Sequence, residues 1–227
     1  MRLYDLDHSP FAARVRMALY AKGLTAAVAP PPGGARSAAY RAINPLGLVP
    51  ALMLDDGTVI PESEIIVEYL EDRFPDPPLR PAAPEERARA RLLARFADEY
   101  LAPPLKDLFE AAKAGAGAQA APRAAVERAL GHIARALGGG THAAAYAVGS
   151  RLTTADCALV PLLFFAARAA RMHAALFAGG DPFAPHPRLA AYWQSIARDP
   201  VAARVIAELE AAQIRRAAAR ARGEPED

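Results

Sequence analysis

The sequence predicts two domains of different class: an α/β domain in the order β-α-β-α-β-β-α over residues 1–77 and, after a linker at 78–86, an all-α helical domain over 87–227. Three observations carry this. The first 75 residues alternate short β-prone runs with amphipathic helical ones. The stretch DPPLRPAAP that follows is proline-rich and aperiodic, as an interdomain linker is. Everything after it has helical spacing, and 227 residues suit one small domain beside a medium one.

RLYDL at residues 2–6 reads as a strand. Ser9-Pro10 then opens a helix whose apolar residues Phe11, Val15, Ala18 and Leu19 share one face, and Lys22-Gly23 closes it with a basic last turn and a glycine cap. TAAVA is a second strand and PPPGG a loop, followed by a short helix around Ser37 to Ala42. NPLGLVPALML, the turn Asp55-Asp56-Gly57 and TVI form a hairpin. From Glu62 an amphipathic helix runs through Ile65, Ile66, Tyr69, Leu70 and Phe74, and Pro75 ends it.

In the second half, a long helix is expected from about 85 to 112, bent near Pro103-Pro104. The breaker GAGAQAAP separates it from a helix at about 123–137, and GGGTHAA is a flexible connection. Thr153-Thr154-Ala155-Asp156 fits a capping box, with Leu152 placed to staple against Cys157. The nearly continuous apolar run CALVPLLFF makes this the buried central helix of its domain. Further helices fall near 187–197 and 200–219, before a frayed tail.

Composition excludes several function classes. A formal charge of +2, from 27 basic and 25 acidic residues, gives no field to collect nucleic acid. The 53% hydrophobic content is largely alanine interspersed with arginine, and no stretch approaches the roughly 20 apolar residues of a membrane span. Asp5, Asp7 and His8 stand where a leader peptide is apolar, so a cytoplasmic protein without membrane contact is expected. One cysteine, Cys157, excludes an intrachain disulfide, and five scattered histidines predict no metal site.

YDLDHSPFAARVRMALYAKGL, NPLGLVPALMLDDG and ESEIIVEYLEDRFPDPP, in this order and spacing, resemble the glutathione transferase superfamily, and the likeness runs through essentially the whole chain to the capped helix at Thr153. It implies a glutathione transferase fold, with a thioredoxin-like first domain that holds glutathione as co-substrate, and a homodimer. In relatives reading Ser-Pro-Phe here, the serine hydroxyl donates to the glutathione sulfur. Ser9 would then favour the thiolate, the nucleophilic form of a thiol whose ordinary pKa is about 8.5. Without the resemblance, Ser9-Pro10 is an N-cap and its N1 proline. At Val49-Pro50 the family has a cis proline, and the residue before it pairs strand-like with the cysteinyl part of the tripeptide. The local alternative is a proline opening an edge strand.

Glu62-Ser63 is the most glutathione-specific pair. At a helix start, the Ser63 hydroxyl and N–H can bind the γ-glutamyl carboxylate, and Glu62 its ammonium; the plain reading is an acidic first turn, which Glu64 serves equally. For the glycyl carboxylate, the short loop PPPGGAR departs from the commoner family patterns and leaves Arg36 ahead of Arg41, each otherwise a solvated arginine. Asp98 stands where some classes reach the γ-glutamyl ammonium in a partner subunit, and is otherwise a solvated carboxylate. Tyr100, Phe109, Phe164 and Arg168 are candidates for a second-substrate pocket, against the reading of aromatics at helical spacing as core. Arg14, Tyr4 and Cys157 are read as structural.

The implied activity is attack of the glutathione thiolate on a small, largely apolar electrophile held between the domains. Serine at position 9 argues against the protein-thiol chemistry of omega-like classes. A glutathione-dependent isomerase of the zeta kind is the enzymatic alternative, although the two serines and a cysteine typical there are replaced by Asp-His-Ser-Pro-Phe. The run ESEIIVEYLEDRFPDPPLRP is also similar to the stringent starvation protein A family, which keeps the fold and acts by binding RNA polymerase. That leaves a non-catalytic regulatory protein as the alternative from another class.

Overall fold

The structure is a computed structural model, and it describes residues 1–114, 118–138, 145–172, 177 and 180–224. Residues 139–144 of the expected flexible connection, 115–117 of the expected breaker and the end of the tail lie outside the described residues. The chain forms two compact units, one of Met1–Leu79 with Pro200–Asp227 and one of Arg80–Asp199.

Among the described residues of the first unit, β1 (Arg2–Tyr4), β2 (Ala27–Ala29), β3 (Ala51–Met53) and β4 (Val59–Pro61) make one sheet in the order β2-β1-β3-β4. β1 runs parallel to β2 and antiparallel to β3, and β3 turns back into β4. The helices are α1 (Pro10–Ala21), α2 (Ala38–Arg41) and α3 (Ser63–Arg73), so the order is the predicted β-α-β-α-β-β-α. α1 packs on α3 through the apolar face read from its spacing, with Val15, Ala18 and Leu19 buried. On the sheet, Tyr4, Tyr40 and Ala51 form a small core, joined by Ile43, Val49 and Met53.

Lys22 does more than end α1. Its Nζ is buried, 2.6 Å from Glu71 and donating to the carbonyls of Phe74 and Pro77, while Glu71 also accepts from Leu79 N. A residue read from the sequence as the basic close of α1 also pins the end of α3, its charge compensated as burial requires.

α9 (Pro200–Ala221) packs on α1. Buried Arg16 joins Asp5, the carbonyl of Asp7 and Glu208; Tyr20 donates to Glu208, and Arg204 stacks 3.6 Å above the Tyr20 ring. By packing, this last helix belongs with the sheet. Helical periodicity assigns a segment its class but not its neighbour, which is why the sequence groups α9 with the other helices.

In the second unit, α4 (Pro84–Arg95) passes through a π-helical turn (Phe96–Leu101) into α5 (Ala102–Ala114). Just upstream of Pro103-Pro104, where the sequence predicts a bend, the helix carries this π turn: Ala102 N–H reaches back five residues to Ala97 O. Two successive prolines supply no N–H and crowd the carbonyls four residues earlier, so the preceding turn widens. α6 (Ala120–Ala136) starts three residues before the expected 123, because Pro122 falls in its first turn, where a missing N–H costs nothing. α7 (Thr154–Met172) is the buried central helix, with α4 and α5 packed on it, and α8 (Pro187–Ile196) follows. No helix among the described residues is long and apolar enough to cross a membrane.

Candidate functional site

The β3–β4 hairpin builds the site. Its register sets Ala51 opposite Pro61, so Pro50 and Val49 stand opposite Glu62 and Ser63 where the ladder ends. Two pairs about 12 residues apart in sequence thereby face one another across a cavity of about 180 Å³, which Phe11, Asn44, Leu46 and Leu48 also line. The Val49-Pro50 bond is cis.

α3 begins in an unusual way. Glu62 at its N-cap has φ 69°, ψ 117°, a backbone conformation that L-residues rarely adopt, and it makes no side-chain cap bond. Ile66 N–H takes the Glu62 carbonyl, so the helix is under way, but no side chain caps its first donors. Ser63 is buried beside them. An open helix start with a hydroxyl and a neighbouring carboxylate can bind a carboxylate on the N–H groups and an ammonium on Glu62.

α1 begins in the opposite way. Ser9 is buried in extended conformation and its Oγ accepts from Ala12 N–H at 3.3 Å, the cap that its sequence context predicts. An accepting hydroxyl keeps its own proton for donation. Ser9 is absent from the residues that line the cavity; Phe11, the second residue of the same helix, is among them. Below, buried Arg14 pairs with Glu64 of α3 at 3.1 Å and lies over the Phe11 ring, the structural ion pair expected of it.

Asn44 and Tyr40 went unremarked in the sequence, yet they hold the loop that carries Val49. Asn44 is buried; its Nδ2 donates to Leu48 O at 2.8 Å, and its Oδ1 accepts from Leu46 N–H. The Tyr40 hydroxyl donates to the same Leu48 carbonyl at 3.0 Å. The signal was an Asn before Pro-Leu-Gly, a side chain suited to fold back on its own turn. Arg36 has φ 65° and donates its N–H to Gly47 O, so its backbone abuts this loop while its side chain is exposed and outside the cavity lining. The Arg41 side chain lies against Gly47.

The candidates in the second unit separate. Tyr100 is 51% exposed, in edge contact with Phe96 and His132. Phe109 and Phe164 both pack on Phe165, Phe164 being buried, and Arg168 follows Phe164 by one turn of α7, half-buried. Asp98 lies in the π turn, half-buried. Cys157 is buried, as a small core residue is. Among the described residues no group of His, Cys, Asp and Glu has the arrangement of a metal site.

Two family profiles match the chain: "Glutathione S-transferase, N-terminal domain" over residues 3–78 and "Glutathione S-transferase, C-terminal domain" over 116–194. The chain is 43% identical to a maleylacetoacetate isomerase of Pseudomonas aeruginosa over 99 residues, 41% of this chain and 47% of that protein. It is 38% identical to a stringent starvation protein A homolog of Coxiella burnetii over 93 residues, 41% and 44% of the two chains. The matched stretch thus spans about half the length of these curated relatives. A glutathione S-transferase of Methylobacterium radiotolerans, solved in complex with glutathione sulfonate, superimposes with TM-score 0.71 at 30% identity, covering 90% of this chain and 93% of that one.

Proposed function

Because the chain belongs to the glutathione S-transferase family, we propose that its first unit binds glutathione and that the protein is a cytoplasmic, homodimeric glutathione transferase. The observation that carries this is the open start of α3 facing Val49-Pro50 across one cavity. The γ-glutamyl carboxylate lies on the Ser63 hydroxyl and the first N–H groups of α3, its ammonium on Glu62, and the cysteinyl backbone pairs with Val49 just before the start of β3. About 180 Å³ is small beside the several hundred of a typical organic-ligand cavity, which suits the γ-glutamyl-cysteinyl part with the rest in the open. Arg36 is the cation for the glycyl carboxylate, and Asp98 serves the partner subunit's ligand.

Ser9 donates a hydrogen bond from its hydroxyl to the sulfur. The thiol proton leaves to solvent, and the thiolate forms a carbon–sulfur bond with a small electrophile while the bond from that carbon to its leaving group breaks, as halide departs from an aryl halide; Tyr100, Phe109, Phe164 and Arg168 are the candidates for the electrophile's pocket. The likeness to an isomerase supports a second reading of the same site. There the thiolate adds to a cis double bond, rotation follows about the resulting single bond, and elimination returns glutathione unconsumed; Arg168 would hold a substrate carboxylate. Recovery of glutathione after many turnovers separates the two reactions.

The test is calorimetric titration of glutathione into wild type and Ser9→Ala, with conjugation of an aryl halide measured alongside. Binding is expected in both, with turnover lowered on the order of a hundredfold in the variant, as for loss of one donor to a developing anion. The pH profile of kcat/KM should move upward with the thiol pKa. No binding at millimolar glutathione overturns the enzyme reading and leaves the regulatory one. Unchanged turnover reduces Ser9 to a cap.

A further inference from the structure

The second unit carries a basic groove that the proposed chemistry does not use. It runs between α6 and the segment that enters α8, as two adjoining cavities, one of about 420 Å³ at the start of α8, inner only in lying nearer that helix and the shallower of the two, and an outer one of about 710 Å³; the two share Gly131, Arg135, Pro185 and His186. The inner part is lined by Arg135, His186 and Arg188 and by no carboxylate. Acids border only the outer part, and both are engaged: Glu127 pairs with Arg123 at 3.5 Å, and Asp181 accepts from Phe183 N–H.

Three features of the inner cavity point to an anion. First, Arg188 Nε and Nη1 are buried and have no hydrogen-bond partner among the described residues, although a guanidinium taken out of water normally requires one. Burial and the nearby Arg89 both push its pKa down, the sign of a cation short of negative charge. Second, α8 starts with His186 as N-cap without a side-chain cap bond and with Pro187 after it, so the N-cap side chain accepts from neither the Arg188 nor the Leu189 N–H. Third, Arg135 and the His186 ring converge there. Arg135 Nη1 and His186 Cε1 lie 3.7 and 3.4 Å from where a Cβ on Gly131 would sit. Arg135 also donates to His132 Nδ1 at 2.6 Å, which holds the guanidinium over the groove.

We propose that this groove is an anion site distinct from the glutathione cavity, and that it takes a phosphate group, with Arg188, Arg135 and the start of α8 as donors. Converging guanidinium and backbone N–H donors suit a tetrahedral dianion better than a single carboxylate. The apolar walls of the outer groove, Ala124, Phe177 and Pro182, would accept the body of a phosphate ester.

The test is calorimetry of the full chain in chloride buffer with inorganic phosphate and, separately, phenyl phosphate, on wild type, Arg188→Gln and Arg135→Gln. Binding of either probe is expected, about tenfold or more weaker in each variant, with glutathione affinity unchanged. Tighter binding of phenyl phosphate identifies the ester as the natural source; equal or weaker binding identifies the free ion. In phosphate-free buffer, Arg188→Gln should melt no lower than wild type, because it removes a charge without a partner. The proposal is overturned if neither probe binds at millimolar concentration, if both variants bind as wild type does, or if Arg188→Gln melts well below wild type.

Discussion

The starts of α3 and α7 use the same kinds of residue in opposite ways. At α7 the donors are consumed. Asp156, fully buried, accepts from Ala147 N–H and the Tyr192 hydroxyl on one oxygen and from Thr153 N–H and the Thr153 hydroxyl on the other. Thr153 therefore gives its hydroxyl to the acid instead of accepting from the helix, so the predicted capping box is half of one plus a link to α8. At α3, Glu62 and Ser63 stand in corresponding roles, but Glu62 turns into left-handed φ, caps nothing, and leaves the first donors of the helix facing a cavity. A helix start whose donors are satisfied within the chain fixes the fold. One whose donors remain open is available to a ligand.

The comparison breaks most visibly at α7. Asp156→Ala leaves four buried donors without an acceptor, and denaturant unfolding at pH 7 should show a loss of about 3–5 kcal/mol, the range for removing one partner of a buried charged cluster. The folded fraction should still bind glutathione within about twofold of wild type, since α7's start serves packing. A large loss of affinity without loss of stability would reverse the assignment of the two helix starts.

A pH titration sharpens the same point. Burial raises the Asp156 carboxyl from about 4 to about 6, against the pull of its four donors. A group whose pKa is higher in the folded state binds its proton longer there than in the unfolded chain. Its contribution to stability is thus fullest below pH about 4 and is lost as pH rises through about 6, by at most about 3 kcal/mol. Asp156→Asn does not titrate, so the stability gap between wild type and this variant should shrink across that window and stay constant above it. A gap that widened from pH 4 to 6 would mean that the donors outweigh burial.

Much of this was legible in the residues, for reasons the two helix starts make plain. Strand and helix order followed from periodicity, because the period of a segment reflects which of its faces is covered. Glu62-Ser63 and Val49-Pro50 were legible as pairs; that they face one another depends on the register from Ala51–Pro61, which a turn at Asp56-Gly57 sets only once both strands are placed. Asn44 and Tyr40 were missed because their work is to bond a carbonyl, an act that leaves no pattern of hydrophobicity. The partners of Lys22 and Arg16 were not legible, because nothing local announces Glu71, 49 residues on from Lys22, or Glu208 at the far end of the chain. Burial of charge is a property of the partner, and the partner is distant in sequence.

The smallest effects should come from α3, and they separate its two residues by chemistry. Ser63→Ala removes one hydroxyl donor to a carboxylate while the backbone N–H groups remain, so glutathione affinity should fall about tenfold, with stability within about 0.5 kcal/mol of wild type. Glu62→Gln keeps the size and a hydrogen-bond acceptor but loses the charge opposite the ammonium; the loss should be comparable and, unlike that of Ser63→Ala, should diminish as salt rises, because ammonium attraction at a partly open site is screened. γ-Glutamyl recognition predicts that Glu62→Gln, and not Ser63→Ala, loses discrimination at the α-amino group: a glutathione analogue lacking that group should bind wild type weakly and Glu62→Gln no more weakly than glutathione itself does. If the analogue and glutathione still differ in Glu62→Gln as they do in wild type, the ammonium is held elsewhere, and the left-handed turn at Glu62 serves only to aim Ser63 at the cavity.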